Sequence, residues 1–169
     1  VYKALIERNP DNPEIQLALC DFLIEDKKYD DLFSLLNTVI LNENIRRNDK
    51  MALFGQMVGN PEIAKAGGDK ILITLMVLEA AYGNDDLVLL MRPEILIAQG
   101  RIDDAQKRLE EIIQKRPENY YAWEKLLIVY LQNGDYKNLE AKGEECVSKF
   151  NRSFLAKLLY ATAATENKK

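Results

Sequence analysis

Residues 112–136 read IIQKRPENYYAWEKLLIVYLQNGDY, and residues 5–29 repeat their pattern as LIERNPDNPEIQLALCDFLIEDKKY. Two pairs of anchor residues, Pro10 with Pro117 and Tyr29 with Tyr136, are separated by the same distance along the chain. Gly100 and Gly134 mark a single period of about 34 residues. The separation within each anchor pair equals three such periods plus five extra residues. Because self-similarity at a period of about 20–50 residues marks a repeat architecture, this repeat decides the fold.

Within one period the apolar residues are spaced as in two helices separated by a turn. Trp123, Leu126 and Tyr130 stand three or four residues apart and share one helix face. Gly134 suits the left-handed residue that follows a helix, and Pro117 ends the preceding helix because proline cannot continue its hydrogen bonding. That preceding helix has its own apolar face, formed by Ala105, Leu109, Ile112 and Ile113. Its charged residues, Lys107, Arg108, Glu110 and Glu111, are expected at the solvated surface. The pattern predicts an all-α chain.

This helix-turn-helix period resembles the tetratricopeptide repeat (TPR), whose unit has the same length of about 34 residues. Gly100 matches its turn, Ala105 matches the small residue that opens its second helix, and Pro117 matches its exit. The resemblance covers essentially the whole chain and implies one domain over residues 1–169, a right-handed α-solenoid. Repeats are expected at 13–46, 47–85, 86–119 and 120–153, with half repeats at 1–12 and 154–169.

Some segments depart from the family's pattern. The five extra residues are expected in a flexible turn at 59–68. Pro93 lies where the family prefers a small residue, so its helix is expected to be kinked or to start late. Residues 1–8 are expected to form a second helix without its first, and residues 154–166 a first helix without its second. Because repeat arrays end in polar caps, these apolar ends indicate an interior segment of a longer array that could self-associate.

The composition excludes several classes of function. The chain holds 23 Lys and Arg against 27 Asp and Glu, a net charge of −4, which argues against nucleic-acid binding. It has no histidine and two cysteines, so we expect no metal site, no cofactor and no histidine-based nucleophile. The longest apolar run, residues 71–78, is too short to cross a bilayer, so direct membrane insertion is not expected. The compartment stays open between the cytoplasm and the bacterial periplasm or envelope.

Weak motifs have simple structural interpretations. Adjacent carboxylates such as Asp103 and Asp104 point about 100° apart on a helix and suit its first turn rather than acid–base catalysis. The glycines at 55–68 near Lys70 lack a phosphate-loop pattern. Cys20 and Cys146 occupy small positions of the repeat and are expected to be buried and reduced. The triplet at 151–153 matches a glycosylation acceptor, which occurs often by chance.

The repeat register places one residue set on the side of the first helices that lines the groove in the TPR family. We call these the groove-facing positions. The candidate binding residues among them are Glu14, Leu17, Asp21, Leu90, Glu94, Tyr121, Glu124 and Ile128. Ile24, Glu25, Met51, Gly55, Leu87, Ile97 and Leu131 complete the set.

This set contains five carboxylates and no cation. The family's chaperone-binding members place Lys, Arg and Asn at such positions to clamp a terminal carboxylate, and that activity is not expected here. The leading hypothesis is a non-enzymatic scaffold whose concave groove binds a protein or peptide with apolar and basic residues. The alternatives are a structural spacer or self-association segment of a longer protein, and a module attached to a catalytic domain elsewhere.

Overall fold

A computed structural model describes Asn9 and residues 11–168. The helix expected at residues 1–8 lies outside the described residues. The described residues form nine α-helices and contain no β-strand, which confirms the all-α prediction. The helices are α1 (Pro13–Glu25), α2 (Tyr29–Leu41), α3 (Arg47–Val58), α4 (Pro61–Tyr82), α5 (Asp86–Ala98), α6 (Ile102–Lys115), α7 (Tyr120–Gln132), α8 (Tyr136–Lys149) and α9 (Phe154–Glu166). The predicted helix at 154–166 is present, whereas the repeat boundaries stay a prediction.

The chain divides into two compact units, one up to Gly100 and one from Arg101. In unit 1, α2 packs on α1 and on α4, α3 packs on α4 and α5, and α4 also packs on α5. In unit 2, α7 packs on α6, α8 and α9, and α8 packs on α9. Among residues 11–168, no helix is both long and apolar enough to traverse a lipid bilayer.

The helix starts are encoded by side chains that cap the first turn. Asn12 precedes Pro13, and its Oδ1 accepts hydrogen bonds from the backbone N–H of Glu14 and Ile15 at 3.0 and 3.1 Å. Asn60 repeats this arrangement before Pro61, at the start of α4. In both places an Asn cap precedes a Pro at the first helical position. The Asn side chain accepts hydrogen bonds from N–H groups of the first turn that have no carbonyl partner within the helix.

The flexible turn expected at 59–68 is wrong, because α4 begins at Pro61. The only residue of α4 with non-helical dihedrals is Gly68, at φ 47° and ψ −129°. The Gln99 Nε2 donates to the carbonyls of Ala64 and Gly68 at 2.9 and 2.8 Å and so satisfies acceptors at this interruption. A Cβ on Gly67 would lie 2.9 Å from the Phe33 ring. The glycines therefore allow a kink and a close helix crossing rather than a loop.

Proline inside α5 does not delay the start of the helix. Asp85 caps α5 through the Leu87 N–H at 2.8 Å, and the helix continues from Asp86 through the buried Pro93. The expectation of a late start is therefore wrong. The Asp85 cap fixes the start of α5, and Pro93 removes one backbone hydrogen-bond donor only further along the helix.

The core of unit 2 bears out the predicted spacing. Trp123, Leu126 and Tyr130 are each at most 2% exposed. Leu127 and Leu139 are fully buried, and a Cβ on Gly143 would come within 3.2 Å of the Tyr160 backbone. Gly143 thus gives the space for α9 to approach α8.

Replacing Gly134 by alanine is expected to lower the free energy of unfolding by about 1 kcal/mol. Gly134 has φ +66°, as predicted, and no heavy atom lies within 4 Å of a Cβ built on it. The cost is therefore conformational, since left-handed backbone costs a residue with a Cβ about 1–2 kcal/mol. Part of this cost is offset because alanine loses less conformational entropy on folding than glycine does.

Gly55→Ala is the matched control, to be measured beside Gly134→Ala by chemical denaturation. Gly55 is exposed in the interior of α3 and also has open space around its Cβ position. Alanine should stabilise the protein there by up to about 1 kcal/mol through helix propensity. Equal destabilisation at the two sites would contradict the assignment of the turn.

Candidate functional site

The groove-facing positions of unit 1 begin on α1, a helix without a cation. Glu14, Asp21 and Glu25 are exposed at one side of it, and no described residue forms an ion pair with any of them. Leu17 and Ile24 are half-buried beside these carboxylates. The opposite side carries the buried Leu19, Cys20 and Leu23, which belong to the core of the unit. This face can therefore offer apolar contact and negative charge together.

The second part of the candidate site in unit 1 lies on α5. Leu87 is 67% exposed, and Leu90 and Glu94 are half-buried. The other side of α5 contributes Val88 and Ile95 to the core, where both are fully buried. Since α5 is anchored by this side, its groove-facing positions are held in a fixed register.

In unit 2 the groove-facing positions lie on α7. Tyr121 is 68% exposed, and Glu124 and Ile128 are half-buried. Tyr120 lies next to them, and its hydroxyl is 2.7 Å from the Ser153 Oγ. Burial raises the pKa of Tyr120, its hydrogen bond with Ser153 lowers it, and the nearby Glu124 carboxylate raises it again. The Tyr120–Ser153 contact thus connects the start of α7 to the cap of α9.

The structure brings only some of these residues together. In unit 1, α1 packs mainly against α2, whereas α5 packs against α3 and α4. Glu14, Leu17 and Asp21 therefore form one face, and Leu90 and Glu94 form another. In unit 2, Tyr121, Glu124 and Ile128 share one face of a single helix, and α9 packs beside that helix.

Comparison with known proteins identifies the repeat. Residues 94–138 match the family model described as tetratricopeptide repeat. The chain contains a tetratricopeptide repeat. The crystal structure of a thermophilic TPR protein in Thermus thermophilus is similar, with a TM-score of 0.57 and 17% identity over 97% of this chain and 87% of that one. Comparison with curated proteins gives no significant match. The TPR prediction is confirmed, and the fold is an all-α helical repeat solenoid.

TPR proteins are generally scaffolds for protein interaction and are typically non-catalytic. The two cysteines of this chain lie in its core. Cys20 and Cys146 are both free and fully buried, as predicted. Burial raises the pKa of the Cys20 thiol to about 12 and that of Cys146 to about 11. Such thiols are almost entirely protonated at neutral pH and are poor nucleophiles.

The repeat register also points to a surface on α9 outside the groove-facing positions. A shift of one period takes Glu124 to Leu158 and Tyr120 to Phe154, both on α9. Leu158 is 50% exposed and Phe154 is 77% exposed. Helix α9 therefore places an exposed apolar residue, Leu158, at the position equivalent to Glu124. Extending the register past residue 153 could have found it.

The sequence also did not predict a cavity of about 690 Å³ that lies between α6, α7 and α8 of unit 2. The Lys142 Nζ lies 5.8 Å from the centre of the Trp123 ring at its wall. Glu110 was expected at the solvated surface but is half-buried, and it accepts a hydrogen bond from the Tyr130 hydroxyl at 2.6 Å. Burial and this hydrogen bond raise the pKa of Tyr130. Glu110 therefore contributes to the interior of unit 2.

Proposed function

We propose that this TPR chain is a non-enzymatic scaffold that binds a peptide segment of a partner protein at its groove-facing positions. The observation that carries the proposal is the exposure of two large apolar residues at equivalent positions. Leu87 and Tyr121 stand one period apart and are 67% and 68% exposed. A tyrosine in this setting gives a rigid contact of large area, and such residues dominate the binding energy of many interfaces.

The charge of the same positions supports a basic partner. Glu14, Asp21 and Glu25 on α1 stand together without a cation on their helix, and Glu94 and Glu124 occupy later repeats. A surface of one sign raises the local concentration of ligands of opposite charge and speeds their association. The proposed ligand is therefore an extended or helical segment that combines apolar anchors with Lys or Arg.

Binding is tested with two sets of fluorescent synthetic peptides of equal length, one combining leucine with lysine and the other leucine with glutamate. We expect the wild type to bind members of the Leu/Lys set, with an affinity that falls as salt rises. Glu94→Lys with Glu124→Lys should weaken this binding by about tenfold or more, since two attractive groups become repulsive. Fluorescence anisotropy gives the dissociation constants.

Two further variants keep the test decisive. Glu43→Lys with Glu118→Lys changes the net charge equally at exposed loop residues outside the groove-facing positions, and should leave binding unchanged. Tyr121→Ala removes an exposed ring and should weaken binding without a loss of helicity. If the two charge variants have equal effects, or both peptide sets bind equally, recognition does not use the groove-facing positions. The chain then fits a structural spacer better.

A further inference from the structure

The helix α9 presents an apolar face that no described helix covers. Phe154, Leu158 and Ala161 recur at helical spacing and are all exposed, and Phe154 is 77% exposed. The opposite side carries Ala156, Leu159 and Ala163, which are buried in unit 2. Such contiguous exposed apolar surface on a helix is typical of a docking site.

Positive charge surrounds this face. Residues 146–165 contain three cations and no carboxylate, although the whole chain is acidic. Lys149, Arg152 and Lys157 are exposed, and no described residue forms an ion pair with any of them. Beside the start of α9 lies a pocket of about 460 Å³, whose walls include Phe150 and Arg152. We call Lys149, Arg152, Phe154, Lys157 and Leu158 the basic face.

The complementary surface occurs on unit 1 of the same chain. Residues 9–26 contain five carboxylates and no cation. Glu14, Asp21 and Glu25 of α1 stand along one exposed side of the helix, with the half-buried Leu17 beside them. We call these four residues the acidic face. Each surface thus pairs apolar area with three charges of one sign that lack ion-pair partners among the described residues.

We infer that the basic face of one copy of this chain docks on the acidic face of a second copy. The two surfaces differ, so the contact is heterologous and leaves one basic face and one acidic face open at the ends of the assembly. Two single helix faces bury less than the ~1,600 Å² of a standard interface, and long-range attraction of exposed charges is screened by salt. The association is therefore weak, dependent on concentration and sensitive to ionic strength.

This contact does not use the groove-facing positions of α5, but all four residues of the acidic face are also groove-facing positions of the proposed function. A ligand held at α1 would therefore compete with a second copy. Another candidate contact between copies is the exposed pair Ile73 and Met76 on α4, 58% and 59% exposed. That pair is uncharged, so an association through it would resist salt.

Sedimentation velocity over a range of concentrations tests the inference with two charge-reversal variants. Arg152→Glu with Lys157→Glu reverses the basic face, and Asp21→Lys with Glu25→Lys reverses the acidic face. We expect the wild type to self-associate at low ionic strength, and each variant alone to lose this by about tenfold or more in dissociation constant. An equimolar mixture of the two variants should associate again, because every contact between unlike copies then joins opposite charges.

The controls change the same net charge elsewhere. Lys107→Glu with Lys137→Glu matches the first variant, and Glu43→Lys with Glu118→Lys matches the second. Both should associate like the wild type, as should Glu94→Lys with Glu124→Lys, even if that variant has lost or never had peptide binding. A wild type that is monomeric at every concentration overturns the inference. So does association that survives both reversals, or a mixture of folded variants that stays monomeric.

Discussion

Trp123→Ala is expected to lower the free energy of unfolding by about 3–5 kcal/mol, the usual cost of removing a large aromatic side chain from a core. Trp123 is 1% exposed, and its Nε1 donates a hydrogen bond to the Pro117 carbonyl at 3.0 Å. The ring therefore ties α7 to the turn that follows α6 and fills the interior of unit 2. Denaturant unfolding followed by far-ultraviolet circular dichroism measures the change.

Trp123→Phe separates the two contributions of this residue. Phenylalanine keeps most of the apolar contact but cannot donate to Pro117, so its expected cost is about 1–3 kcal/mol. Tyr121→Ala, two residues away on the exposed side of α7, should change stability by about 0.5 kcal/mol or less. If Trp123→Ala cost no more than Tyr121→Ala, the assignment of the two faces of α7 would be wrong.

Glu79→Ala is expected to cost about 2–3 kcal/mol, because it leaves the Arg92 guanidinium largely buried without its carboxylate. Arg92 Nε and Nη2 contact Glu79 Oε1 and Oε2 at 3.0 and 2.6 Å, and Nη2 also donates to the Leu72 carbonyl at 3.3 Å. The side chains are 19% and 16% exposed. The pair thus connects α4 to α5 within unit 1.

Removing both charges distinguishes an unpaired ion from lost packing. Glu79→Leu with Arg92→Met should recover most of the stability lost in Glu79→Ala, since no buried charge then lacks a partner. Removing either partner of the exposed pair Asp30 and Lys70, 92% and 63% exposed, should change stability far less, because water screens their attraction. If both pairs cost the same in chemical denaturation, the pair between α4 and α5 is not a buried interaction.

The sequence was sufficient for the parts of the fold that depend on local chemistry. The left-handed Gly134, the helix at 154–166 and the buried face of Trp123, Leu126 and Tyr130 all follow from turn residues and apolar spacing. The repeat register likewise placed Tyr121 and Glu14 at exposed positions. These features are local because each is decided within one or two helices.

The parts that failed depend on which helices meet. Gly67 and Gly68 suggested a loop, although the first is required by the Phe33 ring of α2 and the second allows a kink whose carbonyl accepts a hydrogen bond from Gln99, just after α5. The Asn60–Pro61 pair was a local signal for the helix start and could have corrected this. The partners of Arg92 and Glu110 could not be predicted, because ion pairs and hydrogen bonds between helices require their packing.

The central claim is that the groove-facing positions recognise a basic, apolar segment. The most direct test is a titration of isotope-labelled protein with the tightest Leu/Lys peptide, followed by backbone and methyl chemical shifts in nuclear magnetic resonance spectra. We expect the largest changes at Leu17, Leu90, Tyr121 and Ile128, and we expect Glu94→Lys with Glu124→Lys to reduce them. Changes confined to Ile73 and Met76 of α4, or to the cavity beside Lys142, would contradict it.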